Sequence, residues 1–224
     1  MAYFLKPCSD NSLIMKHLSL ALILSFCFFP CFAQHKTAAD FTTYNRDVSI
    51  KTESGEQVVY LDEKDGPGIA WIKDQQFING SIEVDVKGRD VLQRSFLGIA
   101  FHGVNDTTYE AIYFRPFNFR ATDQERRVHA VQYIDLPEFD WPKLRDQHYN
   151  QYEKGVDPIP DPTGWFHARI EVMGESIKVY VNGGTNPSLS IRPLNHTGGK
   201  MIGYWVGNGS NGNWKNLKIV ANSN

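Results

Sequence analysis

The feature that most constrains the fold is a pair of strictly alternating segments separated by a turn. Residues 166–172 (FHARIEV) and 177–181 (IKVYV) place apolar side chains at every second position. A period of two is typical of a β-strand with one buried face. Gly174 and Glu175 supply a turn between the segments, so the pattern predicts an antiparallel hairpin.

The same period recurs along most of the chain. Residues 81–87 (SIEVDVK) alternate strictly between Gly80 and Gly88. Further strands are predicted at Val58–Leu61, Ile69–Ile72, Phe96–His102, Tyr109–Arg115, His129–Ile134, Leu189–Ile191, Met201–Val206 and Trp214–Val220. Crossover helices of the kind that join parallel strands are missing, which disfavours an α/β fold. The sequence predicts an all-β protein, a two-sheet antiparallel sandwich with jelly-roll topology.

One region departs from this rhythm. Residues 135–164 contain five prolines together with Phe139, Trp141, Tyr149 and Tyr152. A connection of this length without strands is usually either functional or disordered. Its aromatic content argues against disorder, so we expect a folded excursion or lid beside a sheet.

The N-terminus is predicted to be a leader. Met15 begins a signal-peptide pattern, with a short positive region, an apolar run over 18–29 and small residues at Cys31 and Ala33. The apolar run is too short to span a bilayer comfortably. Residues 1–33 are therefore expected to be an upstream extension plus a signal peptide, and 34–224 a single β-sandwich domain. This organisation predicts a secreted, periplasmic or cell-surface protein with no stable membrane insertion after cleavage.

Charge and cysteine content exclude several classes. The formal net charge of −2 leaves no strongly basic field for nucleic acid. The three cysteines, Cys8, Cys27 and Cys31, all lie in the predicted leader. The mature chain then has no disulfide, no thiolate metal site and no cysteine nucleophile. The histidines show no metal-ligand spacing, so we expect no cofactor, with a structural calcium ion left open.

Several segments carry a resemblance to a known superfamily. Residues 77–86 (FINGSIEVDV), the hairpin over 165–183 and the closing strand over 203–219 resemble those of concanavalin A-like lectins and glucanases. The resemblance covers roughly residues 45–220 and comes nearest to laminin G-like modules and the 3-keto-disaccharide hydrolase domain family. It implies two curved sheets, a sugar-binding concave face and an exported role. The glutamate–aspartate–glutamate strand of the glucanases is absent, so no catalytic residue carries over.

The segment 108–118 (TYEAIYFRPFN) has the richest chemistry. In a strand, Tyr109, Tyr113 and Arg115 share one face, and Glu110 lies on the other with apolar residues. Aromatic rings bind the C–H faces of sugars, and planar polar groups bind their hydroxyls. The candidate substrate-binding residues are Tyr109, Tyr113, Arg115, Gln132, Tyr133 and Trp141. The alternative role for the tyrosines is ordinary packing at the edge of the core, with the hydroxyl at the rim.

Two functions are consistent with these residues. An exported glycoside hydrolase would need two carboxylates, and the catalytic candidates are Glu110, Asp140 and His129. Structural pairing of Glu110 with an arginine is the alternative reading of that residue. A non-catalytic module that binds an oligo- or polysaccharide, or a laminin G-like module that binds a protein, is the second function. The long acidic and aromatic excursion favours the glycoside hydrolase, because simple binding modules keep short loops. The sequence does not decide whether the protein is an enzyme.

Overall fold

The protein is a sandwich of two antiparallel seven-stranded sheets. The computed structural model describes residues 1–3, 36–195 and 198–222, so the predicted leader lies outside the described residues except for its first three positions. Both sheets belong to one compact unit, His35–Asn224. Among the described residues, no helix combines the length and the apolar character that a membrane crossing requires.

Every strand pairing in both sheets is antiparallel, as the sequence predicted. The first sheet contains, in spatial order, β1 (Phe41–Tyr44), β4 (Gly68–Gln76), β13 (Met201–Val206), β6 (Leu97–Asn105), β7 (Thr108–Phe114), β8 (Val131–Leu136) and β9 (Glu153–Lys154). The second sheet contains β12 (Leu189–Ile191), β11 (Ser176–Val181), β10 (Phe166–Met173), β5 (Gly80–Lys87), β14 (Ser210–Ala221), β3 (Glu56–Lys64) and β2 (Val48–Glu53). Only β1, β2 and β9 were not predicted from the sequence. Their burial is partial or they are very short, which removes the clean alternation on which the prediction rests.

Aromatic contacts between the sheets identify which side chains face the core. Phe114 on β7 meets Phe166 on β10 with ring centroids 5.0 Å apart. Tyr204 on β13 likewise meets Trp214 on β14 at 5.0 Å. Even-numbered residues of β7 and β13 therefore point towards the second sheet, and we call this the inner face of the first sheet. Odd-numbered residues of the same strands point to the opposite, outer face.

The outer face of the first sheet is covered by the segments that flank β8. Six of the seven residues of β7 are buried, which requires cover on both faces of the strand. Two short helices, α1 (Pro116–Phe119) and α2 (Gln124–Arg127), lie in the connection from β7 to β8. A third helix, α3 (Trp141–Gln147), lies between β8 and β9.

The excursion over 135–164 is folded, as expected. Asp140 caps α3 by accepting a hydrogen bond from the backbone N–H of Trp141 at 2.7 Å, and proline follows at a helix position that tolerates it. The helix buries Leu144, and the chain beyond it buries Tyr152 and Val156. Burial of these apolar side chains holds the excursion against the body of the protein.

Candidate ligand-binding cavities on the first sheet

Aromatic side chains form the floor of the outer face. Tyr113 on β7 and Trp205 on β13 flank Gly98 of β6 in the cross-strand register. Because Gly98 has no side chain, the two rings approach each other across the intervening strand to a centroid distance of 4.8 Å. Trp205 Nε1 also donates a hydrogen bond of 2.9 Å to the hydroxyl of Tyr109. Burial raises the pKa of Tyr109 and Tyr113 to about 12, so both hydroxyls stay protonated.

Arg115 lies beside this floor and is 5% exposed. Its Nη2 donates to the Tyr113 hydroxyl at 2.8 Å and to Gln132 Oε1 at 2.6 Å, and its Nη1 donates to the carbonyl of His129 at 2.9 Å. The guanidinium carbon lies 4.9 Å from the centroid of the Tyr113 ring. Neutral acceptors and an aromatic face thus orient this cation.

A single carboxylate, Glu153 on β9, joins the basic groups. Arg145 binds it in a bidentate manner, with Nε and Nη2 each 2.8 Å from a carboxylate oxygen. Arg115 Nη1 lies 3.4 Å from Glu153 Oε2, and His129 Nδ1 lies 2.8 Å from the same oxygen. We call the set Tyr113, Arg115, His129, Gln132, Arg145 and Glu153 the outer cluster.

The titration of the outer cluster reflects this arrangement. Burial alone would raise the pKa of Glu153, but the hydrogen bonds from Arg145 and the charges of Arg115 and Arg145 outweigh it and lower that pKa. Burial lowers the pKa of His129, and the nearby arginines add to this effect against the attraction of Glu153. The outer cluster therefore holds an ionised carboxylate between two guanidinium groups.

Two adjoining cavities open above the outer face. The larger, which we call the arginine cavity, has a volume of about 660 Å³. It is lined by Leu92, Gln93, Phe96, Arg115, Phe117, Asn118, Arg126, His129, Trp141, Arg145 and Asn208. The smaller, the aromatic cavity, has a volume of about 180 Å³. It is lined by Pro67, Phe96, Tyr109, Tyr113, Ile134, Leu136, Asp140, Trp141, Trp205, Gly207 and Asn208.

The two cavities share Phe96, Trp141 and Asn208, so they adjoin as parts of one surface. Trp141 is 44% exposed, although it begins α3 at the border of both cavities. A large apolar ring left exposed beside buried aromatic groups is a typical stacking surface for a ligand. The guanidinium carbon of Arg145 lies 5.1 Å from the Trp141 ring centroid and orients that ring.

The sequence-predicted binding residues divide between the two faces. Tyr109 and Tyr113 contribute to the aromatic cavity, Arg115 and His129 to the arginine cavity, and Trp141 to both. Gln132 is buried beneath them as an acceptor for Arg115.

Tyr133 is the exception, because it lines neither cavity. The ring faces inward and its hydroxyl donates to Glu110 Oε2 at 2.8 Å. His129 precedes β8, which begins at Val131, so strand alternation does not hold His129 and Tyr133 on one face.

The inner face carries a second polar group, which we call the inner cluster: His102, Glu110, Tyr133 and Asp135. Glu110 is fully buried, and its Oε1 lies 2.7 Å from His102 Nδ1. His102 Nε2 lies 2.6 Å from the carbonyl of Ile78. Both ring nitrogens face oxygen atoms, an arrangement that favours the doubly protonated, positively charged imidazole. Asp135 lies opposite Glu110 in the register and accepts from the backbone N–H of Asn195 at 2.9 Å.

The pKa shifts of the inner cluster are upward, whereas those of Glu153 and His129 in the outer cluster are downward. Burial, with the nearby charge of Glu110, raises the pKa of Asp135 to about 6. Burial lowers the pKa of His102, but the hydrogen bond and charge of Glu110 outweigh it and raise that pKa overall. Burial and the neighbouring carboxylates also raise the pKa of Tyr133 far above its usual range.

The three catalytic candidates do not meet at one cavity. Glu110 lies on the inner face, where its carboxylate is bonded to His102 and Tyr133, rather than to an arginine as the structural alternative expected. Asp140 lines the aromatic cavity but also accepts the capping hydrogen bond of α3. His129 lines the arginine cavity.

The residues of the outer face that were not identified from the sequence include Phe96, Arg126, Arg145, Glu153 and Trp205. Trp205 lies within a predicted strand. Strand alternation there places it on the face opposite the core residues, as it does for Tyr113. Phe96 also lies at the start of a predicted strand. The other three lie on two short helices and a two-residue strand, where periodicity carries no information about neighbours. In the described part of the chain, no group of three or more histidine, cysteine, aspartate or glutamate side chains is arranged to hold a metal ion.

Comparison with known proteins identifies the fold. No family model and no curated protein sequence matches the chain. The carbohydrate-binding module CBM66 from Bacillus subtilis matches with a TM-score of 0.56 at 13% identity, over 81% of this chain and 96% of that chain. The exoplasmic/lumenal domain of VIP36 in its Ca²⁺/Man3GlcNAc-bound form matches with a TM-score of 0.52 at 13% identity, over 83% and 86%. A glycoside hydrolase family 16 endo-glucanase from Bacteroides ovatus matches with a TM-score of 0.50 at 10% identity, over 84% and 97%.

All of these structures are concanavalin A-like jelly rolls, and this chain has the same fold. The fold predicted from the sequence is thereby confirmed. The nearer resemblance to the 3-keto-disaccharide hydrolase domain family has no matching family model and stays a prediction.

Proposed function

We propose that the outer face of the first sheet binds carbohydrate, with Trp141 as the principal stacking surface. The observation that carries the proposal is the exposed Trp141 ring at the border of both cavities, next to the buried Tyr113–Trp205 floor. Sugars have apolar C–H faces and polar edges, which suits aromatic rings surrounded by guanidinium, amide and hydroxyl groups. Structures with the same fold include a carbohydrate-binding module and a domain bound to Man3GlcNAc, which supports this class of ligand.

The residues that line the two cavities agree better with carbohydrate binding than with hydrolysis. Glycoside hydrolysis generally uses two carboxylates about 5 to 9.5 Å apart. No carboxylate is among the described residues that line the arginine cavity, and Asp140 is the single one at the aromatic cavity. Glu153 lies behind the arginine cavity, where two arginines hold it ionised and remove its capacity to act as a general acid. We therefore propose a carbohydrate-binding module, exported by the leader predicted at residues 1–33.

The test compares two exposed aromatic residues of the excursion. Trp141→Ala removes the stacking surface, whereas Tyr149→Ala removes a ring that is 61% exposed and lines neither cavity. Loss of one stacking ring is expected to weaken binding to the recognised glycan by about tenfold. The measurement is isothermal titration calorimetry after a screen of oligo- and polysaccharides. Unchanged affinity in Trp141→Ala, or no binding to any glycan in the screen, would reject the proposal.

The catalytic alternative rests on Asp140 and His129, because both line the cavities. It requires release of reducing sugar from a glycan that the protein binds, and complete loss of that release in Asp140→Asn with binding retained. Because Asp140 caps α3, thermal unfolding of the variant is the necessary control. Turnover that survives the substitution would remove Asp140 from any mechanism.

A further inference from the structure

The lining of the arginine cavity carries a marked excess of positive charge. Arg115, Arg126 and Arg145 all line it together with His129, and none of the described lining residues is acidic. Glu153, behind the wall, balances only part of this charge. A protein with a formal net charge of −2 thus places three guanidinium groups in the lining of one cavity of about 660 Å³.

Among the described residues, Arg126 is the cation of this cavity for which no carboxylate lies within ion-pair distance. Its Nη2 donates to the carbonyl of Phe117 at 2.8 Å, and its Nε lies 3.3 Å from the amide oxygen of Asn118. Both acceptors are neutral, and no ion pair within the described residues includes Arg126. The two contacts fix the guanidinium in place on the cavity wall, which lowers the entropy cost of binding a ligand.

Arg145 places a second guanidinium beside the stacking surface. Its Nε and Nη2 are occupied by Glu153, and its guanidinium carbon lies 5.1 Å from the centroid of the Trp141 ring. Trp141 and Arg145 both line the arginine cavity, so a pyranose ring stacked on Trp141 would share that cavity with a cation. Guanidinium groups bind carboxylate, sulfate and phosphate oxygens with paired hydrogen bonds, in a geometry that lysine does not offer.

We propose that the carbohydrate bound in this cavity is anionic, with a carboxylate or sulfate group that contacts Arg126 and Arg145. The inference rests on the proposed function, because it assigns the charge of the ligand that stacks on Trp141. It also accounts for the absence of acidic lining residues, since a carboxylate there would neutralise Arg126 and repel the ligand.

The experiment compares charged polysaccharides with neutral ones of the same backbone. Polygalacturonate against its methyl ester tests a carboxylate, and dextran sulfate against dextran tests a sulfate. The charged member of at least one pair is expected to bind at least about tenfold more tightly, because hydrogen bonds to charged groups contribute more than neutral ones. Affinity for the charged member is expected to fall as salt is raised from 0.02 to about 0.15 M.

Two arginines on one helix distinguish a specific contact with the ligand from general electrostatic attraction to the protein surface. Arg126→Gln removes a guanidinium that lines the cavity, and Arg127→Gln removes its neighbour on α2, which does not line it. Arg126→Gln is expected to weaken binding of the charged member by about tenfold and to leave the neutral member unchanged. Arg127→Gln is expected to change neither, and thermal unfolding checks that both variants are folded.

Equal affinity for charged and neutral members in both pairs would overturn the inference, as would equal losses in the two arginine variants. If Trp141→Ala still weakens binding in that case, the proposed function stands and only the charge of the ligand is wrong. If the charged member binds but Trp141→Ala has no effect, the stacking proposal fails. The inference fails with it, because a ligand that does not use Trp141 is not the one proposed. No binding to any polysaccharide rejects both.

Discussion

The first sheet carries one polar cluster on each face, built around strands β7 and β8. The two clusters differ in which groups bind their central carboxylate. In the inner cluster, the carboxylate of Glu110 is bonded to His102 and to the hydroxyl of Tyr133. In the outer cluster, the carboxylate of Glu153 is bonded to two guanidinium groups and approached by His129. The inner cluster holds more carboxylate than base, and the outer cluster holds more base than carboxylate.

The two clusters also differ in how accessible their side chains are to solvent and to a ligand. Glu110, Tyr133 and Asp135 are at most 1% exposed, and none of them lines either cavity. Arg115 and His129 line the arginine cavity directly. A satisfied, enclosed polar cluster contributes to the specificity and stability of the fold, whereas one that keeps excess charge at a cavity can bind a ligand of opposite charge. The richest polar segment of the sequence therefore contributes to an enclosed cluster on one face and to the lining of two cavities on the other.

Removal of Glu110 is expected to give the largest effect on stability. Glu110→Ala takes the shared acceptor away from His102 and Tyr133 and leaves both in a buried site. Breaking a buried ion pair on one side costs about 3 to 5 kcal/mol. Urea denaturation should show this loss, and glycan affinity should be unchanged at temperatures where the variant is folded.

The matched control is Glu138→Ala on the surface. Glu138 pairs with Lys143 at 3.3 Å with both side chains well exposed, so the loss should be below about 1 kcal/mol. A loss of glycan affinity in folded Glu110→Ala would contradict the separation of the two faces.

The inner cluster is also expected to make stability depend on pH. The pKa of Asp135 is raised to about 6, so the folded protein binds more protons than the unfolded chain between about pH 4 and 6. The stability contributed by the protonated carboxyl is present below pH 4 and is lost as the pH rises through 6. Asp135→Asn removes this dependence, so the variant should gain about 3 kcal/mol relative to the wild type between pH 4 and pH 7.

His102 also makes the free energy of unfolding fall as the pH rises, but over a higher pH range. Its folded-state pKa is raised, so its contribution is complete below 6.5 and is lost as the pH rises through the raised value. Denaturation curves of wild type and Asp135→Asn at matched pH values isolate the Asp135 part, since His102 is common to both. A constant difference between the two proteins from pH 4 to 7 would show that Asp135 is not the titrating group.

Removal of the charge of Glu153 tests the outer cluster with a smaller expected effect. Glu153→Gln keeps the shape and one acceptor oxygen but leaves Arg115 and Arg145 without their shared anion. We expect a loss of about 2 kcal/mol in urea denaturation, below that of Glu110→Ala, because Arg145 is partly exposed. The pKa of His129 should fall further, since the charge of Glu153 raises it, and NMR titration of the imidazole measures this. An unchanged His129 titration would contradict the 2.8 Å contact with Glu153.

The sequence predicted the fold better than the site, and the reason is visible in particular residues. The segment 166–181 alternates because each strand has one face in the core and one towards solvent, and the pattern records that directly. The same argument correctly placed Tyr113 and Glu110 on opposite faces of β7. It carries no information about His129, because the strand predicted from His129 begins at Val131.

The residues that complete the outer cluster come from segments with no period. Arg145 and Glu153 are eight positions apart, one on a seven-residue helix and one on a two-residue strand. Their pairing depends on how the excursion folds back onto β8, which is a tertiary arrangement that local pattern does not encode. Trp141 was identifiable because an aromatic residue directly after an aspartate, in a proline-rich excursion, stands out without knowledge of its neighbours.

The smallest predicted effect compares the two tyrosine hydroxyls directly. The hydroxyl of Tyr113 accepts from Arg115, whose Nη2 keeps a 2.6 Å hydrogen bond to Gln132 if that hydroxyl is removed. Tyr113→Phe should therefore cost about 1 kcal/mol or less. The hydroxyl of Tyr133 donates to the buried carboxylate of Glu110, so Tyr133→Phe should cost about 1.5 to 3 kcal/mol. Because each substitution removes one oxygen from a buried ring, urea denaturation of the pair compares the clusters at equal change in volume. A larger loss for Tyr113→Phe would mean that the outer cluster, not the inner one, is the more important for stability.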